Sequence, residues 1–438
     1  MPTRSRPREV VIVDDPDDAP STQTLLAGLN NIDAGVLVIH PVPGSTGLGG
    51  LGLAVLAALG KLLGISQNSQ RATERTWRLA RAWTVGHAPD IIVVDRAHRL
   101  PATVLAGVLA LAAEAGAVAW LVDPAGRCPA RLPATTRTTT VAPGQLATLR
   151  RPPPPPPAPV EFPELLPTAD FLTFRAVCAR RLNPRAAALV DAAYQQAFTH
   201  FMGLGVRRNG GHSDHRALAW DLPHELTREL AAHCSRSVNA GEALVRLRAA
   251  QAGLLRAGFL LRHIASLDAL TPATHLLCPL TPTIADTLRT LVSTTHAAAA
   301  ALQLLMPFDA LYRTVTYTLD EIPDDASYLG ASPHRSIPVP ECARPILLAH
   351  AAWVRQSPAP TDRFHHPLFG DERIDDLAPP ILARLPVPAH LVPAHPTRHY
   401  TGGANASTWM TQRGLSVESV TTHLPGLTPE PWLQGISE

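Results

Sequence analysis

Short apolar, β-branched segments alternate with helical patterns through residues 1–150, and this alternation constrains the fold most strongly. The segments Val10–Val13, Val36–His40, Ile91–Val94 and Val118–Val122 each have the composition of a buried strand. Strands that alternate with helices predict a parallel sheet with helices packed on its faces. We therefore expect residues 1–150 to form an α/β domain.

A glycine-rich turn follows the second of these strands, and an aspartate follows the third. The turn contains Gly44, Gly47, Gly49 and Gly50, and the aspartate is Asp95. Ligands of parallel sheets bind at the carboxyl ends of the strands, so these residues are candidates for nucleotide binding. The alternative is that the glycines only let a strand turn tightly into a helix that packs on the sheet.

The spacing of the turn and the sequence of the third strand add a family resemblance. Gly44 begins a Gly-x-x-x-x-Gly pattern, and the third strand reads IIVVD before RAH. This arrangement resembles the P-loop NTPases, closest to the AAA-type ATPases that accompany transposition proteins. At the positions of the family's loop lysine, magnesium-binding hydroxyl and second acid, the chain has Gly50, Leu51 and Arg96. The resemblance therefore implies a degenerate P-loop-like domain without metal-assisted phosphoryl transfer. ATP binding by backbone N–H groups and no nucleotide binding at all both stay open.

Six consecutive prolines, Pro152–Pro157, mark the clearest domain boundary. Such a run forms a stiff polyproline II spacer, so we predict a Pro-rich linker at 151–163. Residues 164–275 then have mainly helical patterns, including a predicted helix over Glu242–Ile264. Its arginines are interpreted either as a solvated edge of an amphipathic helix or as contacts to a DNA backbone.

The stretch from His395 to Val420 carries the second group of candidate residues. His395, Arg398 and His399 form a His-x-x-Arg-His run that precedes a helical pattern. Gly414 stands where a helix stop is needed, and Leu415 begins a second predicted helix. The alternative is that this short run arises by chance.

Upstream segments give the run a consistent context. Ser336–Pro340 predicts the end of a strand, and Cys342–Val354 predicts the helix after it. In this order the pieces resemble box II and its flanks in the catalytic domain of the tyrosine recombinases (phage integrases), over roughly 280–426. We therefore predict a last domain at 276–438, which is mainly α and recombinase-like.

The resemblance implies how this domain would contact DNA. His395, Arg398 and His399 would bind a DNA phosphate, because a guanidinium fork suits two phosphate oxygens. Arg313 and Arg335 are the nearest substitutes for the family's other cationic groups, although neither is in register.

Catalysis by this domain is not expected. The family's nucleophile is a tyrosine, but residues 427–438 contain none, and Tyr400 lies beside the candidate arginine instead. We expect a non-catalytic DNA-binding protein related to site-specific recombinases, an accessory factor or remnant of a mobile element, with a recombinase or transposase as a candidate partner. An ATP-binding AAA-type transposition or regulatory protein and a structural or interaction protein are the alternatives. The oligomeric state stays open.

Charge and cysteine content set further bounds. The net charge is +2, which gives no strong field for DNA, so any contact must come from a local patch. The 5 cysteines are scattered without a Cys-x-x-Cys pair, which argues against a disulfide framework or a zinc site and fits a reducing cytoplasm. His212, Asp214 and His215 lie in a loop where no helical spacing holds them, so no metal site is predicted. The apolar runs are too short for a membrane span.

Overall fold

The structure is a computed structural model. It describes residues 9–44, 47–61, 70–123, 132, 136–149, 161–163, 171–209, 226, 229–230, 233–234, 237–263, 280–305, 318–330, 337–356, 368–370, 372, 374–385 and 415–419.

Five strands from the start of the chain form one sheet. They are β1 (Glu9–Asp14), β2 (Val36–Ile39), β3 (Ile91–Val94), β4 (Val118–Asp123) and β5 (Arg137–Val141). Their order is β2-β3-β4-β1-β5, and every neighbouring pair is parallel. The predicted parallel α/β architecture is therefore confirmed. β5 was not predicted because its sequence, RTTTV, has no apolar run and is mostly exposed.

Four helices from the same part of the chain accompany this sheet. They are α1 (Pro20–Ala27), α2 (Leu48–Ala58), α3 (Gln70–His87) and α4 (Ala102–Ala115).

Successive strand residues point to opposite faces, and both sets are buried. Val36 and Val38 of β2 pack in one core cluster with Leu26 of α1. Leu37 and Ile39 alternate with them and are also fully buried. Burial on both faces is the reason that these strands read as continuous apolar runs.

The remainder of the described chain is mainly helical. Its elements are α5 (Phe174–Arg181), α6 (Pro184–Asn209), α7 (Ala240–Arg256), β6 (Phe259–His263), α8 (Pro282–Arg289), α9 (Thr294–Leu305), β7 (Tyr328–Leu329), β8 (Ile337–Pro338), α10 (Arg344–Arg355), α11 (Ile374–Leu377), α12 (Pro379–Leu382) and β9 (Leu415–Ser419). β6 pairs with β9, and β7 pairs with β8, both antiparallel.

The chain divides into two compact units that are not consecutive in sequence. The parallel-sheet unit comprises Met1–Pro157, Leu280–Gln303 and Arg313–Pro386. The helical unit comprises Ala158–Pro279, Leu304–Tyr312 and Val387–Glu438. Much of the segment predicted as a separate domain at 276–438 thus belongs with the α/β region.

Close packing of α3 explains why later helices join the parallel-sheet unit. A Cβ on Gly86 of α3 would lie 2.6 Å from Ala349 Cβ in α10, so the two helices approach too closely for any side chain there. Trp83 of α3 is fully buried and donates from Nε1 to the carbonyl of Val292 at 2.8 Å. The sequence pattern gave no signal for these long-range contacts.

Two predicted helices are wrong in part. The helix predicted over Glu242–Ile264 ends at Arg256, and Gly258 then has a φ of +88°. A left-handed residue stops a helix, and the apolar residues beyond it form β6 instead. The helix predicted to begin at Leu415 is the strand β9, and its Val417 pairs with Leu261 of β6. The short second helix of the recombinase resemblance is therefore absent at this position.

Candidate functional site

The residues predicted to contact DNA all lie outside the part of the chain that the structure describes. They are His395, Arg398, His399, Arg313 and Arg335. The metal candidates that the sequence disfavoured, His212, Asp214 and His215, lie outside it too. The recombinase-like site therefore stays a prediction from sequence, and the described candidate site is the carboxyl edge of the parallel sheet.

The candidate glycines have different local roles. Gly44 has a φ of +79° and turns the chain after β2. Gly47 caps α2 with extended backbone and no side-chain hydrogen bond, and a Cβ there would meet open space. A Cβ on Gly49 would lie 3.0 Å from Thr73 Cβ in α3, so Gly49 is needed for helix packing. Gly50 lies in the first turn of α2. Packing of α2 on α3 thus accounts for Gly49, which was not predicted, whereas the positive φ of Gly44 fits the alternative that the glycines let the strand turn tightly into a helix.

The sheet topology separates this turn from the expected ligand crevice. The chain leaves β1 toward β2 at one edge of the sheet, whereas it leaves β4 toward β5 at the other edge. A crevice forms where connections from neighbouring strands diverge in this way, here at the carboxyl ends of β1 and β4. The glycine turn follows β2, which is an edge strand with β3 and β4 between it and β1.

Asp95 follows β3 at the carboxyl edge of the sheet, and its carboxylate is held by side chains from other segments. It is only 5% exposed. Gln23 Nε2 donates to Asp95 Oδ1 at 3.2 Å, and His40 Nδ1 lies 3.2 Å from Asp95 Oδ2. Burial alone would raise the pKa of Asp95, but the hydrogen bonds from His40 and Gln23 and the charge of Arg96 hold it below its usual value. Asp95 is therefore a carboxylate whose charge is already compensated.

Arg96 completes this network at the position where P-loop NTPases have an acid. Its backbone is left-handed, with a φ of +46°. Its Nε donates to both carboxylate oxygens of Asp18, at 3.0 and 2.9 Å, and one terminal nitrogen lies 3.7 Å from Asp95. The hydrogen bond with Asp18 raises the pKa of Arg96. The guanidinium therefore lies between two carboxylates of the protein.

Further acids lie at the ends of the strands β1 and β4. Asp15 is buried and accepts from the backbone N–H of Ala19 at 3.2 Å. Asp123 ends β4, is fully buried, and lies 3.9 Å from His98 Nδ1. Carboxylates at the end of the strands disfavour a polyphosphate through like-charge repulsion. The run of acids directly after β1 was the sequence signal for this property, but the partners of Asp95 were not predicted.

Comparisons with protein-family models, with curated proteins and with solved structures found no match to this chain. In the part of the chain that the structure describes, no helix combines the length and apolar character needed to span a membrane. Function must therefore be inferred from residues and their geometry.

Proposed function

We propose that the chain is a non-catalytic DNA-binding protein related to site-specific recombinases, in which the parallel-sheet unit has no NTPase activity. The non-catalytic part rests on one observation: the Asp95 carboxylate is engaged by Gln23, His40 and Arg96 of the same chain. A carboxylate in a P-loop fold must be open to magnesium for phosphoryl transfer. In this chain, Gln23, His40 and Arg96 contact the Asp95 carboxylate instead.

The DNA-binding part rests on the residue types around Arg398. A His-x-x-Arg-His run supplies a guanidinium fork and imidazoles, which bind phosphate oxygens well. Residues 427–438 contain no tyrosine, so we expect DNA binding without formation of a covalent phosphotyrosyl bond. With a net charge of only +2, affinity must come from this local group.

Fluorescence anisotropy with duplex DNA over a salt series tests the proposal. Arg398→Ala should weaken binding by about 1–3 kcal/mol, the range for a lost charge-assisted hydrogen bond, and lower the salt slope by about 1. The loss should be similar for unrelated DNA sequences, because phosphate contacts position the protein without reading bases. The matched control Arg137→Ala removes an exposed arginine of β5 and should change little.

Two results would contradict the proposal in different ways. Equal DNA binding by the wild type, Arg398→Ala and Arg137→Ala would show that the arginine of the His-x-x-Arg-His run does not contribute to DNA binding. A covalent adduct on a suicide DNA substrate would show that a nucleophile exists and that the protein is catalytic.

A second candidate function is weak binding of an anionic nucleotide at the start of α2. The observation in its favour is that the first turn of α2 has no acidic residue and no side-chain cap, with open space at Gly47. Backbone N–H groups at a helix start attract anions. The acids at the ends of β1, β3 and β4 oppose it.

A further inference from the structure

Two histidines and a glutamate of the helical unit come together from segments far apart in the sequence. The possible ligand atoms of His200, Glu229 and His233 all lie within 4.8 Å of one another. His200 Nε2 is 3.0 Å from Glu229 Oε2, and the rings of His200 and His233 have their centroids 4.3 Å apart. All three side chains are half-buried.

The backbone explains why these groups converge. His200 lies in the long helix α6. Glu229 and His233 both have helical backbone and are four positions apart, a spacing that places two side chains on the same side of a helical segment. This pair supplies two groups, and α6 supplies the third.

The core beneath the three residues holds them in place. Leu230 and Cys234, the residues that follow Glu229 and His233, are buried in the same cluster as Phe201, which follows His200. The Phe201 ring makes edge contacts with both histidine rings, with centroids 5.1 and 5.3 Å away. Side chains anchored by buried neighbours are preorganised for a ligand.

We propose that His200, Glu229 and His233 form a binding site for a divalent transition metal, with zinc as the best fit. Two imidazoles and one carboxylate are the ligand set of zinc sites that keep a fourth position for water. Magnesium and calcium prefer sites made only of oxygen atoms, so imidazoles select against them. This site is independent of the proposed DNA contacts and of the sheet edge.

The distances suit a tetrahedral ion. Zinc binds nitrogen and oxygen at about 2.0–2.2 Å, which places ligand atoms about 3.3–3.6 Å apart. The His200 and Glu229 ligand atoms are 3.0 Å apart and no pair in the group is more than 4.8 Å apart, so the spacing brackets the separation that zinc needs.

The buried thiol nearby is not a fourth ligand. Cys234 is 1% exposed, and its Sγ donates to the carbonyl of Ala243 at 3.9 Å. Its Sγ is not among the ligand atoms that lie within 4.8 Å of one another, which are those of His200, Glu229 and His233. The fourth position is therefore left to water or an external ligand.

Zinc titration of the full-length protein, after dialysis against a chelator, tests the site. The wild type should bind one equivalent, and His200→Ala and His233→Ala should each weaken binding at least about 100-fold, more than loss of an outer-shell partner. Glu229→Gln keeps the side-chain shape and should also weaken binding. The control His296→Ala removes a histidine of the parallel-sheet unit that lies 2.8 Å from Ser293 Oγ, and it should bind like the wild type.

Cobalt(II) gives an independent readout on the same proteins. The wild type should show the intense visible absorption of tetrahedral cobalt, and Glu229→Gln should lose it. Circular dichroism checks that each variant is folded, and Glu229→Gln decides the question if a histidine variant fails that check. The proposal is overturned if the wild type binds no zinc at micromolar concentration, or if Glu229→Gln binds zinc as tightly as the wild type.

Discussion

Asp95 and Lys61 are both buried charged residues of the parallel-sheet unit, and their surroundings are opposite. Asp95 lies at the sheet edge with Gln23, His40 and Arg96 around its carboxylate. Lys61, the one lysine in the sequence, lies beneath Trp83, with Nζ 3.1 Å from the centre of that ring. The structure lowers the pKa of both side chains, yet the meaning differs. The lowered pKa of Asp95 means that its charge is stabilised, whereas that of Lys61 means that its charge is disfavoured.

The local groups explain the environment of Lys61. Burial, and then the charge of Arg289, lower the pKa of Lys61 to about 6. Lys61 donates a short hydrogen bond to the carbonyl of Arg289, whose guanidinium pairs with Asp33 and Asp286 instead. Burial and the charges of Lys61 and Arg289 also lower the pKa of His87 to about 3. The groups around a buried side chain, and not burial alone, therefore decide whether it is charged at neutral pH.

The largest expected effect comes from removing the Lys61 amine. Because the folded pKa of about 6 lies below the ordinary lysine value of 10.5, the unfolded state binds more protons between these values. Stability should therefore rise with pH from about 6 toward 10 in the wild type, by several kcal/mol in total at about 1.4 kcal/mol per pKa unit. In Lys61→Met this rise should flatten. Chemical unfolding at a series of pH values measures it.

A surface variant provides the control for this pH series. Arg81 pairs with Glu114 with both side chains about one-third exposed, so Arg81→Met should cost about 0–1 kcal/mol and leave the pH profile unchanged. An unaltered slope in Lys61→Met would show that the amine is charged in the folded protein, and the contrast with Asp95 would fail.

Asp95→Asn should have a smaller effect, with the same direction of pH dependence but in a more acidic window. The substitution removes the charge that Arg96 and His40 face, at a cost of about 1–3 kcal/mol at pH 7. The pKa of Asp95 is lowered in the folded state, so its contribution to stability is present above the ordinary aspartate value of 3.8 and is lost as pH falls through the folded pKa. The stability difference between wild type and Asp95→Asn should therefore shrink in acid.

Urea unfolding at pH 7 and in acid measures this change. Glu114→Gln is the matched control, because it neutralises an exposed carboxylate that is paired with a single arginine. Equal losses in both variants would mean that the network around Asp95 is worth no more than a surface ion pair.

These two regions also show what the sequence could predict. The four strands with apolar, β-branched residues were predicted because burial on both faces leaves a local signature, and the position of Asp95 followed from its strand end. Its partners Gln23 and His40 were not predicted, because they come from α1 and from the end of β2, and only the folded sheet brings them together. Lys61 gave no local signal at all, since its neighbours Trp83 and Arg289 are distant in sequence.

The same limit explains the missed elements of the helical unit. Leu415–Ser419 was interpreted as a helix, but its pairing with β6 is a contact between segments far apart in the chain, which overrides local propensity. His200 lies 29 positions before Glu229, so no local spacing links it to the Glu229–His233 pair. In contrast, His212, Asp214 and His215 are close together in sequence and were therefore considered as metal ligands. Convergence of distant side chains is a property of packing and not of local pattern.

The smallest expected effect is the response to Mg-ATP. This added ligand tests whether the carboxyl edge of the sheet binds a nucleotide. The family's loop lysine and hydroxyl are replaced by Gly50 and Leu51, and Arg96 is held by Asp18. Acids end β1 and β4 at the expected ligand crevice, so like-charge repulsion opposes the phosphates of a nucleotide there. Isothermal titration should detect no binding in the micromolar range, and millimolar Mg-ATP should leave the unfolding midpoint unchanged, since a ligand stabilises only as it binds the folded state. A micromolar dissociation constant with measurable turnover would show that the Asp95 network opens to admit a metal, and the compensated carboxylate would then be a resting state of an active site.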